Sequence, residues 1–301
     1  MNRTVTVGLD GSPESRAAAE WAAREAALCG LPLKIVHVWE PVPEPVAQAP
    51  LLGGETRQHW TDEVPREAAE GLRLRHPGLE VVTDRLTGNP AHALTEAADS
   101  AELTVLGSRG FGGIAGFMTG SVSLAVLAHA ERPVVLVRAG EQATDEHKPD
   151  PAGVPSEAAP FRPVVLGLDL GTPDETLLGF AFGAAARRGA PLRVVHAWSE
   201  PPTSFYRFYG DAELAEELTR GQAKALTELL RSWRQKFPDV QVIEASRCGS
   251  AAQVLVDTSR EASLVVVGRR VRTSPLGAHI GHVTHAVLHH VLAPVAVVPH
   301  V

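Results

Sequence analysis

The sequence predicts an α/β protein of two doubly wound domains, each with a mostly five-stranded parallel sheet. Two observations carry this. The chain repeats itself: "VTVGLDGSPES" from Val5 returns as "VVLGLDLGTPDE" from Val164, "LPLKIVHVWEP" from Leu31 as "APLRVVHAWSEP" from Ala190, "AELTVLGSRG" from Ala101 as "ASLVVVGRRV" from Ala262, and "RPVVLVR" from Arg132 as "APVAVVP" from Ala293. The offset stays near 160 residues, with Asp10 and Asp169 159 apart and Pro133 and Pro294 161 apart. A period that long is a duplicated domain, since solenoid units recur every ~20 to 50 residues. Within each copy, short β-branched runs alternate with helical patterns over short links, the pattern of a parallel sheet covered on both faces.

The elements follow in order. "RTVTVGLD" is a short strand. "SPESRAAAEWAAREAALCG" is a helix, with Ser12 as N-cap, Pro13 suited to the first turn and Gly30 closing the end. "PLKIVHVW" is apolar at most positions, as a strand covered on both faces should be. After a long connection comes a helix near Thr61 to Arg75, then the strand "LEVVTDRL", the helix "NPAHALTEAAD", the strand "LTVLG", the helix "GSVSLAVLAHA" and the strand "PVVLVR". The second copy keeps this order. Between the copies, Ala139 to Pro160 is polar, rich in Pro and Ala and free of apolar periodicity, which reads as a linker. The expected division is domain 1 at 1–138, linker at 139–160 and domain 2 at 161–301.

The charge is −7 at pH 7 and 44% of the 301 residues are hydrophobic, so the chain can bury two cores. The acidic balance argues against nucleic acid and against an anionic membrane surface as partners. Cys29 and Cys248 have no metal-ligand or CxxC spacing and read as incidental thiols. The start runs almost directly into a strand, without the pattern of a signal peptide. No apolar run approaches the ~20 residues of a membrane span. The expected location is the cytoplasm.

Doubly wound sheets bind ligands beyond the carboxyl ends of their strands. The residues to read are therefore Gly8 to Gly11, Val38 to Glu40, Gly88 to Pro90 and Gly107 to Gly113. In "VLGSRGFGGIAGFMTGSVS", glycines lead from the fourth strand to a helix opened by Gly120 and Ser121. Unpaired amide groups at a helix start and the helix dipole favour an anion, and glycine admits close approach to the backbone. The stretch reads equally as a phosphate cradle or as a connector. A Walker A motif fails, because the lysines are Lys34, Lys148, Lys224 and Lys236. A dinucleotide fingerprint forced from Gly110, Gly112 and Ala115 would follow the wrong strand. Asp10 reads either as a ligand contact or as the acceptor of an Asx turn ahead of Ser12.

Gly107, two residues, Gly110, nine residues, Gly120-Ser121 resembles the nucleotide motif of the universal stress protein family. "VGLDGSPES", "HVWEP", Gly88-Asn89-Pro90 and the final "RPVVLVR" also look like that family, and tandem chains of this length are typical of it in actinobacteria. The resemblance implies a Rossmann-like, adenine nucleotide alpha hydrolase-like fold that binds ATP, with magnesium or manganese as a candidate companion. It implies that Gly8 and Asp10 lie against the nucleoside, that Val38 reads the adenine edge, and that Gly88 stands at the third strand's end of the site. Ribose and phosphates would be wrapped by Gly107, Ser108, Arg109, Gly110, Phe111, Gly112, Gly113, Gly120, Ser121 and Val122. It further implies that the last strands pair the two halves as an internal pseudo-dimer, with a homodimer as a further option, an exposed edge strand needing a partner.

The second copy departs from this. Gly268 and Gly281 keep the spacing, but Val271 stands where Gly110 would be and His282 where Ser121 would be. Domain 2 thus reads as empty, as binding another ligand, or as a structural partner. Arg269, Arg270 and Arg272 read as phosphate-attracting or as a solvated basic loop. His282, His285 and His289 share a helical face with His279 and His290 nearby, either a metal site or an exposed face. His37 and His196 occupy matching strand positions and read as hydrogen-bonded structural residues. Phe205, Tyr206, Phe208 and Tyr209 read as a site cover, a contact surface or local packing. The leading functional expectation is an ATP-binding regulator of a stress response. A slow ATP hydrolase using Arg109 and Asp10, and a nucleotide-free scaffold, are the alternatives.

Overall fold

The computed structural model describes residues 3–40, 54–108, 121–199, 212–271 and 280–300, without the side chains of 54–62, 212 and 214. The chain divides into two compact units, Met1–Gln142 and Ala143–Val301.

The first unit contains β1 (Val5–Gly8), α1 (Pro13–Cys29), β2 (Leu33–Trp39), α2 (Gly54–Arg75), β3 (Val81–Thr87), α3 (Pro90–Asp99), β4 (Leu103–Ser108), α4 (Ser121–His129) and β5 (Val134–Arg138). Its strands are parallel, in the order β3-β2-β1-β4-β5. The chain therefore reverses its direction of winding between β1 and β4, which opens a crevice at their carboxyl ends.

Ser12 caps α1, its side chain accepting from the Ser15 amide, and Gly30 ends the helix in the left-handed region at φ 63°. The inner face of α1 is mostly alanine, with Ala18, Ala22, Ala23 and Ala26 fully buried around Trp21. Small side chains let the helix lie close against β1, β4 and β5. Below it Val5, Val7, Val105 and Val135 are completely buried, each contributing about 1.5–3 kcal/mol through lost apolar surface. Helix α2 begins seven residues before the expected Thr61, because the polar run after Gly54 carries no apolar period.

The second unit contains β6 (Val164–Gly167), α5 (Glu175–Arg188), β7 (Leu192–Trp198), α6 (Ala212–Lys236), β8 (Val242–Cys248), α7 (Ala251–Thr258), β9 (Leu264–Arg270), α8 (His282–His290) and β10 (Val295–His300). Its parallel order is β8-β7-β6-β9-β10, the same winding. Residues 143–160 group with this unit and include a 3-10 turn at Ala143–Glu146. They are held by side chains: the Glu146 carboxylate lies 3.7 Å from the Arg188 guanidinium, both buried, and Arg162 Nε donates to the His147 carbonyl at 2.8 Å. Cys29 and Cys248 are not in a disulfide. Among the described residues no helix is long and apolar enough to cross a membrane.

Candidate functional site

In the first unit a cavity of about 310 Å³ opens where β1, β2 and β4 end. Its floor is Gly8, Val36 and Leu106, and its sides are the starts of α1, α3 and α4. Each element brings a specific group. Strand β2 brings Val38, α3 brings Pro90 and Leu94, and α4 brings Ser121, Val122 and Ser123. The first amides of α4 have no intrahelical partner, so the cavity wall there is a set of donors with positive potential. Ser123 fixes the helix to the strand, its Oγ donating to the Gly107 carbonyl at 2.9 Å.

Asp10 forms the turn into α1. Its Oδ1 accepts from the Ser12 amide at 3.0 Å and from the Ser12 hydroxyl at 2.6 Å. Its own amide donates to Ser15 Oγ at 3.3 Å. Burial pushes the carboxyl pKa up, but the hydrogen bonds of Ser12 and Ser15 outweigh it and hold the group below its ordinary value. Asp10 is thus an anion locked in an Asx turn that also faces the cavity.

Gly107 has a packing reason to be glycine. A Cβ there would lie 2.6 Å from the Glu14 carbonyl carbon and 2.8 Å from its oxygen, so the first turn of α1 leaves no room. A Cβ on Gly8 would meet Leu106 at 2.7 Å. Gly88 adopts φ +127°, a region only glycine enters readily, and donates to the Trp39 carbonyl at 2.9 Å.

Of the residues expected from the sequence, Gly8, Asp10, Val38, Gly107, Ser121 and Val122 line this cavity. Gly88 and Ser108 do not; Pro90 is the contribution of the loop after β3, and Ser108 is buried opposite Arg138. Arg109, Gly110, Phe111, Gly112, Gly113 and Gly120 lie outside the described residues. Sequence reasoning missed Glu14, Ser15 and Ser123 as wall residues. The hydroxyl at the third position of α1 and of α4 was the available signal.

The equivalent place in the second unit is a cavity of about 460 Å³ lined by Gly167, Asp169, Thr172, Leu177, Arg269 and His300 among others. Asp169 again bonds its own turn, accepting from the Gly171 amide at 2.9 Å and from Thr172 Oγ1 at 3.2 Å. Thr284 repeats the role of Ser123, donating to the Gly268 carbonyl at 3.0 Å. The paired histidines are structural: His37 Nδ1 lies 2.7 Å from the Leu9 carbonyl and His196 Nδ1 3.1 Å from that of Leu168. His285 and His289 approach at 3.2 Å between their Nε2 atoms, yet no group of three metal-binding side chains occurs among the described residues. Arg272, Pro275, His279, Phe205, Tyr206, Phe208 and Tyr209 lie outside them.

The profile of the universal stress protein family matches residues 1–138 and again 160–299. The chain belongs to the universal stress protein family. A universal stress protein of Mycobacterium tuberculosis is 34% identical over 306 residues, covering 97% of this chain and 96% of its own. The crystal structure of a universal stress protein from Archaeoglobus fulgidus superimposes with a TM-score of 0.70 at 16% identity, over 98% of both chains, a likeness of fold. A universal stress protein solved in complex with cAMP is 28% identical over 46% of this chain and 99% of its own, with a TM-score of 0.36.

Proposed function

We propose that this universal stress protein is a nucleotide-binding regulator that takes ATP in the cavity of its first unit. One observation carries the reading: the cavity sits at the winding reversal between β1 and β4, with the start of α4 opening into it. The chemistry of the wall fits the ligand. The amides of Ser121, Val122 and Ser123 are donors suited to phosphate oxygens, and Val38 with Leu94 offers an apolar surface suited to a base. Asp10 and Glu14 would repel phosphates alone, but they are oxygen ligands suited to a hard divalent ion such as magnesium or manganese. When bound, that ion would neutralise charge between the carboxylates and the phosphates.

The regulatory part of the proposal follows from mass action. A ligand that binds one folded state stabilises that state in proportion to its occupancy. No turnover is needed for this, and bound ATP is expected to be recovered intact after incubation with magnesium or manganese.

Ser121→Glu tests the site. A carboxylate at a helix start favours the helix by about 0.3–1 kcal/mol, so the variant should fold. It also sets a like charge against the phosphates, and ATP affinity should fall about 100-fold or more. Unchanged ATP affinity in the folded variant would remove the assignment.

A further inference from the structure

Helix α8 carries a pair of histidines that neither cavity uses. Its sequence is HVTHAVLHH, and His285 and His289 stand four residues apart, one turn along the same face. Their Nε2 atoms approach at 3.2 Å, with ring centroids 4.3 Å apart and ring planes inclined at 51°. His285 is exposed and His289 half-buried, so the contact lies at the surface.

The equivalent helix of the first unit lacks the pair. Aligned from their first residues, α4 and α8 share their buried positions, Val126 with Val287 and Leu127 with Leu288. Leu124 and Ala128 stand where His285 and His289 do. The core side of the helix is thus kept, and two imidazoles replace two aliphatic side chains at partly exposed positions.

Two imidazole nitrogens this close match the bite of a metal chelate. Nitrogens that each lie about 2.0–2.1 Å from one ion, about 90–109° apart, are about 2.8–3.4 Å from each other. The 3.2 Å of this pair falls inside that range. Without an ion, one ring donates its Nε2–H to the lone pair of the other. With an ion, both Nε2 lone pairs face the metal and each ring carries its proton on Nδ1. The helix already holds the second donor beside the first, which raises its effective concentration.

The donor set selects the ion. Two neutral nitrogens suit copper, nickel or zinc, whereas magnesium and calcium take oxygen ligands. Among the described residues no third histidine, cysteine or carboxylate completes the set, so water fills the other positions. The Irving–Williams order then favours copper(II).

We propose that His285 and His289 form a two-histidine chelate for a divalent transition ion, copper(II) most tightly and nickel(II) and zinc(II) less so. The ion clips one turn of the helix whose first residues, His282 to Thr284, wall the second cavity. The inference does not rest on nucleotide binding, since His285 and His289 line neither cavity.

The test uses the untagged full chain and copper(II), followed by titration calorimetry in a non-chelating buffer and by electron paramagnetic resonance. One tight equivalent is expected, with two imidazole nitrogens in the resonance. His285→Ala lies at an exposed helix position that alanine suits, so it should fold. It should weaken copper at least about tenfold, because a chelate becomes a single donor. His289→Ala should do the same; if that variant does not fold, His285→Ala decides. His129→Ala ends α4, where Ala125 stands four residues before it, and should change nothing. Millimolar magnesium should not compete. Copper affinity unaltered in His285→Ala, a resonance from a single nitrogen, loss of the tight equivalent in His129→Ala, or displacement by magnesium would each overturn the proposal.

Discussion

Beside Gly107, the first turn of α1 closes against the strand, with the backbone of Glu14 where a Cβ would be. Beside the matching Gly268, the first turn of α5 comes near only with the Leu177 side chain, 3.3 Å from where a Cβ would be. The link from β6 to α5 is three residues longer than that from β1 to α1, α5 starts at Glu175 under an Asp174 cap, and the His300 side chain occupies the space. The same glycine, at the same distance from the following helix, thus answers to a rigid neighbour in one unit and a movable one in the other. A glycine spacing can therefore persist as packing while the charged residues around the cavity change, from Asp10 and Glu14 to Asp169, Arg269 and Arg270.

The sharpest way to break this comparison is to add one methyl group to each glycine. Gly107→Ala must displace helix backbone and should destabilise the first unit by about 3 kcal/mol, the upper part of the overpacking range. Gly268→Ala meets the end of an imidazole that can turn aside and should cost about 1 kcal/mol. Hydrogen exchange, read separately on peptides of each unit, measures both; equal losses would contradict the packing difference.

The caps give a smaller contrast. Ser12→Ala removes the hydroxyl that accepts from the Ser15 amide and donates to Asp10, and should cost about 1.5 kcal/mol. Asp174 caps only its own helix, through the amides of Thr176 and Leu177, and Asp174→Ala should cost about 1 kcal/mol. Denaturant midpoints of the two variants check the order.

The smallest effect is in pH. The folded Asp10 carboxyl titrates below its unfolded value of about 3.9. Its stabilisation is complete above that pH and is lost as the pH falls through the folded value. Asp10→Asn should therefore show a shallower acid loss in first-unit peptides and no change in second-unit peptides. An unchanged acid limb would separate Asp10 from that unit's stability.

Much of this was legible in the sequence. Ser12 and Gly30 bound α1 as their side-chain chemistry dictates, and the alternation of β-branched runs and helices fixes a parallel sheet with its crevice at the strand ends. Asp10 was legible only as a choice between turn and ligand, since both use the same carboxylate at the same strand end. The charged residues of the second cavity were less legible. Arg269 looked like one of three loop arginines, yet it belongs to β9 and is buried. His300 lies far from the glycine stretch in sequence and reaches it only through the pairing of β9 and β10. Residues 143–160 showed no periodicity because they are held by Glu146, His147 and Phe161 individually, with no repeating apolar face.

The central claim is that the two units differ in what they bind. Titration calorimetry of ATP with magnesium tests it most directly, on the wild-type chain, on Ser121→Glu, and on Ala251→Trp, which fills the second unit's cavity at the start of α7. The account predicts one ATP per chain, lost in Ser121→Glu and unchanged in Ala251→Trp. Two equivalents per chain, or ATP binding that survives Ser121→Glu and disappears in Ala251→Trp, would contradict it.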